Sequence, residues 1–221
     1  MRLLGIAHKN SERLVRLIND ILDIEKIESG KLVVNHRRVD VCSLVEQAIE
    51  TARGFADSFG VRFRLEGCSV PAFVRVDPDR LVQVFTNLFS NAVKFSPRDD
   101  EVIVGVDRRA ETIRITVRDH GPGIAEEFKA RIFEKFAQAD ATDARQKGGT
   151  GLGLSIVKQI VTLLGGTVSF ETSPGGGTSF HIDLPRWDVA GAEPVLPGGV
   201  HEPRVLIRDD DAEVAQARSV A

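Results

Sequence analysis

Apolar residues fall at helical spacing over the first thirty positions. Leu14, Leu17, Ile18, Ile21 and Leu22 stand at i, i+3, i+4, i+7 and i+8, and Ile24 and Ile27 carry the run to a stop at Gly30. The stripe is wider than a two-stranded seam and one helix cannot bury it alone, so it predicts a helix that packs in a bundle. Leu32-Val33-Val34 to Val39 reads as a strand. Asp40 then caps a helix running to about Phe59, with Leu44, Ala48, Ala52, Phe55 and Phe59 on one face. Arg62 to Leu65 and Phe73 to Val76 read as short strands, and Asp77 before Pro78 is a strong helix start. The helix from Pro78 to about Phe95 sets Leu81, Phe85, Leu88 and Ala92 on its core side. Val102 to Val106 and Thr112 to Val117 are strands, the second alternating Ile113, Ile115 and Val117 with polar residues, so one sheet face is buried. Leu154, Val157, Ile160, Val161 and Leu164 predict a further helix, closed by Gly165-Gly166. Thr167 to Glu171 and Thr178 to Leu184 form a hairpin around Pro174-Gly175-Gly176-Gly177.

Three polar stretches remain after the core is assigned. Asn87, Asn91 and Lys94 lie within one narrow arc of their helix, roughly opposite its apolar side. Either this is a solvated face, or it offers a neutral oxygen to a hard cation and a point charge to a phosphate. Asp119 closes an alternating strand just before Gly121-Pro122-Gly123-Ile124. A carboxylate there either bonds its own turn or accepts from an amino group such as adenine's. Gly148-Gly149-Thr150-Gly151-Leu152-Gly153-Leu154 opens a helix. Alternate glycines at a helix start serve tight turns and close packing, or leave backbone N–H groups bare for phosphate oxygens.

In this order and at these spacings, Asn87–Lys94, Asp119–Ile124 and Gly148–Leu154 resemble the N, G1 and G2 boxes of the sensor histidine kinases. Phe133-Glu134-Lys135-Phe136 resembles their F box. The resemblance covers roughly residues 10–185. It implies an α/β fold, the two-layer sandwich shared with gyrase, the heat-shock chaperone ATPases and the mismatch-repair ATPases. It implies ATP and Mg²⁺ as cofactors, with Asn87, Asn91 and Lys94 as the catalytic set and Asn91 as the metal ligand. Asp119 would fix adenine and the loop of Gly149, Gly151 and Gly153 would cradle the phosphates, with Gly121, Gly123, Ile124, Thr150, Leu152 and Leu154 also among the cofactor-binding residues. Phe133 and Phe136 would belong to a lid within Ala125 to Ala144, docked on the catalytic body or on the dimerisation helices. ATPases of this fold class carry a glutamate where Asn87 stands, to activate water. An amide cannot take that proton, which favours a kinase over an ATPase.

Residues 1–30 would then be the second helix of a dimerisation domain, 31–185 the catalytic domain, 186–203 a linker and 204–221 the start of a receiver domain, with Asp209 and Asp210 as its metal-binding pair. His8 is followed by Lys9-Asn10-Ser11, which does not match the phosphoacceptor pattern, so the acceptor histidine is expected outside this chain. The implied reaction is transfer of the γ-phosphoryl group of ATP to that histidine, within a homodimer that signals to a response regulator or receiver domain. A non-catalytic nucleotide-sensing module and an anti-sigma-type serine kinase share the nucleotide boxes and stay as alternatives. The helix feeding straight into the domain argues against the second.

With 221 residues, 42% of them hydrophobic, the chain can bury a core of ordinary size. A formal net charge of −3 gives no electrostatic drive toward nucleic acid or anionic lipid. No apolar run is long enough to span a bilayer, so no membrane contact by this chain and a cytoplasmic location are expected. Cys42 and Cys68 have no metal-ligand spacing and read as reduced thiols.

Overall fold

The computed structural model describes residues 2–138 and 150–187; within the first helix, side chains are described at position 11, at 14 and 15, and from 17 onward. Gly149, the side chain of His8, the linker beyond 187 and the expected receiver start at 204–221 lie outside the described residues.

The first helix, α1 (Arg2–Glu28), leads through an irregular stretch into β1 (Arg37–Asp40). The strand is shorter than the apolar run Leu32–Val34 suggests, because Val33 is 87% exposed and the stretch has no ladder partner before Arg37. Then follow α2 (Val41–Phe59), β2 (Arg62–Glu66), β3 (Phe73–Val76) and α3 (Pro78–Phe95). The second half holds β4 (Glu101–Arg108), β5 (Thr112–Asp119), the single turn α4 (Glu126–Lys129), α5 (Gly153–Leu163), β6 (Thr167–Thr172) and β7 (Thr178–Pro185).

Five strands form one sheet in the order β2-β4-β5-β7-β6. Only β2 and β4 run parallel, with α3 and β3 in the crossover between them. Ile113, Ile115 and Val117 of β5 and Phe180, Ile182 and Leu184 of β7 point to one face and are buried. That face is covered by α2, α3 and α5, giving two layers. The other face carries polar pairs, among them Arg114 forked onto Asp183 at 2.8 and 2.6 Å across β5 and β7. The Arg114 hydrogen bonds hold the Asp183 carboxyl below the usual carboxylate range, against the opposing effect of burial.

The central helix α3 is fixed by its own sequence. Asp77 accepts from the N–H groups of Asp79 and Arg80, Pro78 occupies the first turn, and Leu81, Val84, Phe85, Leu88, Phe89, Ala92 and Val93 are all buried. Each large side chain in that stripe contributes about 1.5–3 kcal/mol by leaving water. Asp77 also accepts from Asn35 N, which ties the chain ahead of β1 to the head of α3. On α2 the buried set is Val41, Cys42, Val45, Ala48, Ile49 and Ala56. This corrects the expected face. Phe55 and Phe59 remain 38% and 36% exposed and pack on each other at 4.9 Å instead.

Among its described side chains, helix α1 touches the sandwich from Leu17 onward. Ile24 is buried, Leu17 and Ile27 pack against the core, and the helix lies on α5. Asp23 accepts from Gln83 at 2.8 Å and from Arg80 at 3.3 Å, and Glu28 pairs with Lys135 at 2.5 Å. Leu14, Val15, Ile18, Ile21 and Leu22 stay 44–58% exposed, so the bundle-type stripe finds no cover among the described residues.

The two cysteines correct another expectation. Cys42, in the first turn of α2, and Cys68, in the turn between β2 and β3, form a disulfide with their Cα atoms 5.5 Å apart. Their separation of 26 residues carries no sign of this, since only the fold brings the two turns together.

Candidate nucleotide site

Three segments meet beside the C-terminal half of α3. The first is α3 itself, where Asn87 and Asn91 are half-buried on the side away from Leu81, Phe85 and Leu88. Asn87 is held by donating from Nδ2 to Gln83 O one turn back, at 3.1 Å. Lys94 follows on the same side, in the last turn.

The second segment is the head of α5. A Cβ on Gly153 would sit 2.9 Å from Asn87 Oδ1, so a side chain there would have to displace the Asn87 amide. Leu152 precedes the helix without a side-chain cap and is itself fully buried, with its carbonyl accepting from Ser155 and Ile156. Leu154 packs against the core. Thr150 uses its hydroxyl to accept from Leu152 N at 3.2 Å. The helix therefore begins on hydrophobic anchors, and no side chain competes for its first amides. A helix start of this kind attracts anions through bare N–H groups and the positive end of the helix dipole.

The third segment is the end of β5. Asp119 is 5% exposed. Its Oδ1 accepts from Gly121 N at 2.8 Å and Thr178 N at 3.3 Å, and Oδ2 has no hydrogen-bond partner among the described residues. Burial pushes its carboxyl above the ordinary range, although the two amides and His120 oppose that shift. A Cβ on Gly121 would lie 2.7 Å from Phe95 O and 2.9 Å from Asp119 Oδ1, so glycine is required where the turn crosses the end of α3. Gly123 continues the turn, and Ile124 N donates to Thr172 at 3.0 Å.

The structure brings Asn87 to Gly153 and Asp119 to Gly121, and separates the two phenylalanines. Phe133 packs edge-on against Phe170 and Phe180, at 5.9 and 6.5 Å, in an aromatic cluster on β6 and β7. Phe136 is 64% exposed with φ of 60°. Its backbone would lie 2.8 Å from a Cβ on Gly151, so the glycine run rests directly on the F-box backbone. Thr178 was missed from the sequence. It is buried, donates its N–H to Asp119 and shares a hydroxyl contact of 3.1 Å with Thr172. The signal was the glycine turn just before it, which reads equally well as an ordinary hairpin. His120 Nδ1 meets Asp100 Oδ1 at 3.1 Å.

The donor set suits a magnesium ion. Mg²⁺ keeps most of its shell from water and substrate phosphate and needs few protein ligands. Among the described residues no group of three or more His, Cys, Asp or Glu converges, and Asn91 offers one neutral oxygen on the face that Asn87 and Gly153 share.

A buried carboxylate with one free oxygen, an asparagine row and an uncapped helix start define a nucleotide-binding α/β sandwich. Residues 76–188 match the family described as histidine kinase-, DNA gyrase B- and HSP90-like ATPase, and the chain belongs to it. It is 39% identical over 193 residues to the circadian input-output histidine kinase CikA of Synechococcus elongatus, covering 86% of this chain and 25% of CikA. It is 36% identical over 189 residues to the signal transduction histidine-protein kinase BarA of Escherichia coli, covering 82% of this chain and 20% of BarA. The chain thus spans a quarter or less of these curated relatives. Among solved structures, full-length ShkA in complex with AMPPNP superposes with a TM-score of 0.72 at 30% identity, covering 84% of this chain and 38% of ShkA. The histidine kinase AdeS of Acinetobacter baumannii, at 24% identity, a TM-score of 0.70 and 84% coverage of both chains, shares the fold.

Proposed function

We propose that this chain is the ATP-binding catalytic part of a two-component sensor histidine kinase. It transfers the γ-phosphoryl group of ATP to a histidine imidazole on a dimerisation helix outside this sequence. The observation that carries the reading is the meeting of Asn87 with Gly153, which sets the asparagine row of α3 against the bare head of α5. Asp119 Oδ2 accepts a hydrogen bond from the adenine amino group, while Oδ1 already accepts from Gly121 N and Thr178 N. The amides at the head of α5 hold phosphate oxygens, and Lys94 adds a positive charge. Asn91 would hold Mg²⁺ through its amide oxygen, and the ion would supply positive charge beside the phosphates. Phosphoryl transfer asks mostly for positioning and charge stabilisation, which these groups supply.

Asn87 decides which nucleophile is served. Its amide has no basicity and donates to Gln83 O, so no residue there activates water. The site holds ATP for an incoming imidazole. In the parent protein α1 pairs with a second copy through its exposed stripe, the product is passed to a response regulator or receiver domain, and the chain works in the cytoplasm. No helix among the described residues is long and apolar enough to cross a membrane, which is compatible with that placement.

Calorimetry with Mg·ATP, followed by a phosphate-release assay, tests the site. The expected result is saturable binding with no phosphate release above the protein-free rate. Asn91→Ala should weaken the Mg²⁺-dependent part of binding by roughly tenfold and leave metal-free binding nearly unchanged. Sustained phosphate release would make the chain an ATPase and end the kinase reading.

A further inference from the structure

We propose that Cys42 and Cys68 are a reversible thiol–disulfide site that sets the stiffness of the joint between α1 and the catalytic sandwich. The inference is independent of the nucleotide reading. These are the chain's two cysteines, and their Cα atoms stand 5.5 Å apart, a span that closes without moving the backbone.

Both redox states fit the surroundings. In the open state the Cys42 thiol has an acceptor, Val70 O, at 3.8 Å, so no buried S–H is left without a partner. Asp40 still ties the two turns without the sulfur bond, accepting from Cys42 N at 3.3 Å, Ser43 at 2.9 Å and Ala72 N at 3.0 Å. The open form therefore stays folded. Access is uneven in a useful way. Cys42 is 6% exposed, while Cys68 is half-buried in a surface turn. A reagent reaches Cys68 first.

The position gives the bond its consequence. Cys42 lies two residues past the end of β1, in the first turn of α2, and the Cys68 turn leads into β3. Those two strands pair from Arg37 opposite Val76 to Asp40 opposite Phe73. Together they join α1 to the head of α3, where Asp77 takes Asn35 N. Closing the sulfur bond locks one end of this small ladder. Opening it leaves that end on hydrogen bonds alone.

The chemistry is exchange with a small disulfide such as oxidised glutathione. The Cys68 thiolate attacks one reagent sulfur, the reagent S–S bond breaks and one reagent thiolate leaves. The Cys42 thiolate then attacks Cys68 Sγ in the mixed disulfide and releases the second reagent thiolate. Two thiol protons are lost from the protein and the reagent is reduced to two thiols. A dithiol reverses both steps. Departure of Cys42 as a thiolate is assisted by its place in the first turn of α2, where the helix dipole favours negative charge.

The test uses the full chain. After reduction and removal of the reductant, a thiol-reactive dye should count two thiols. After oxidised glutathione it should count none, with no retained glutathione by intact mass. The closed form should melt higher by roughly 7–14 °C, from the loop entropy of the cross-link. Hydrogen exchange across residues 67–76 should slow by roughly tenfold or more in the closed form. Dithiothreitol should restore the open values. Cys68→Ser, which alters the exposed member, should fold and behave as the open form under both conditions. Two persistent thiols, a lasting glutathione adduct, or closure without slower exchange over 67–76 would each overturn the proposal.

Discussion

Asp119 is the residue whose environment speaks most directly to ligand. Burying a carboxylate costs free energy unless hydrogen bonds satisfy it, and only one of its oxygens is met by protein donors. Asp119→Asn should weaken ATP binding by roughly 10- to 100-fold, because a charged acceptor is replaced by an amide that also presents donors. Equal ATP affinity in the two proteins by calorimetry would remove adenine from this pocket. Asn87, Asn91 and Lys94 stand out in the sequence because the apolar stripe of α3 leaves them on its other side, whereas Asp119 stands out as a carboxylate continuing the buried alternation of β5. Thr178 was not legible, since it acts through its backbone N–H and any residue supplies one. Nor was the cysteine pairing, because spacing along the chain carries no distance in space. Asp77 gives a second test at this scale. Burial alone would raise its carboxyl, but the amides of Asn35, Arg80 and Asp79 outweigh that and lower it. An acid with a depressed folded value stabilises the protein above its unfolded value of about 3.9, and that contribution is lost as pH falls through the folded one. Asp77→Ala should cost about 1–2 kcal/mol at pH 7 in urea denaturation, and the deficit should shrink below about pH 4. A deficit unchanged with pH would show that the carboxylate's charge is not what caps α3.

At the scale of elements, α3 was the best read and α2 the worst. The stripe on α3 repeats without interruption, and Phe85 and Phe89 stack at 5.9 Å within it. Phe85→Ala should cost about 3–5 kcal/mol in urea denaturation, a value typical of a fully buried aromatic. A loss below about 1 kcal/mol would mean that the core refills the space. On α2 the expected face is rotated rather than opposite: Ala48 is buried and Leu44 and Ala52 pack against the core, while Phe55 and Phe59 lie at its outer edge. The buried stripe is made of smaller residues, Val45, Ala48, Ile49 and Ala56, because α2 packs closely against α3. Size misled where spacing could not decide. The fork between Arg114 and Asp183 joins β5 to β7 with side chains only 20% and 16% exposed. Asp183→Asn should lower stability by about 1–3 kcal/mol at pH 7 and flatten the acid limb of stability against pH, since the lowered folded carboxyl titrates there. An unaltered limb would show that the pair contributes nothing to acid sensitivity.

The described residues place a five-stranded sheet behind three helices, and α3, the head of α5 and the end of β5 converge on the proposed nucleotide face. The α/β sandwich and the order of its boxes were readable because four motifs repeat a known order. The two F-box positions were not, because an aromatic residue packs equally well inward or outward; Phe133 went to the core and Phe136 to the surface. Helix α1 buries Ile24 on the sandwich and leaves Leu14, Val15, Ile18, Ile21 and Leu22 exposed among the described residues. The central claim is that this unit presents ATP to a histidine it does not itself contain in the acceptor pattern. It is tested by incubating the purified chain with γ-labelled ATP, alone and with a separate two-helix dimerisation domain from the same coding sequence. Alone, the chain should take up no acid-labile, base-stable label. With the acceptor domain present, label should appear on that domain, and Asn91→Ala in the catalytic chain should abolish it. Label on the chain itself that disappears in His8→Ala, or an unlabelled acceptor domain despite intact Mg·ATP binding, would contradict the account.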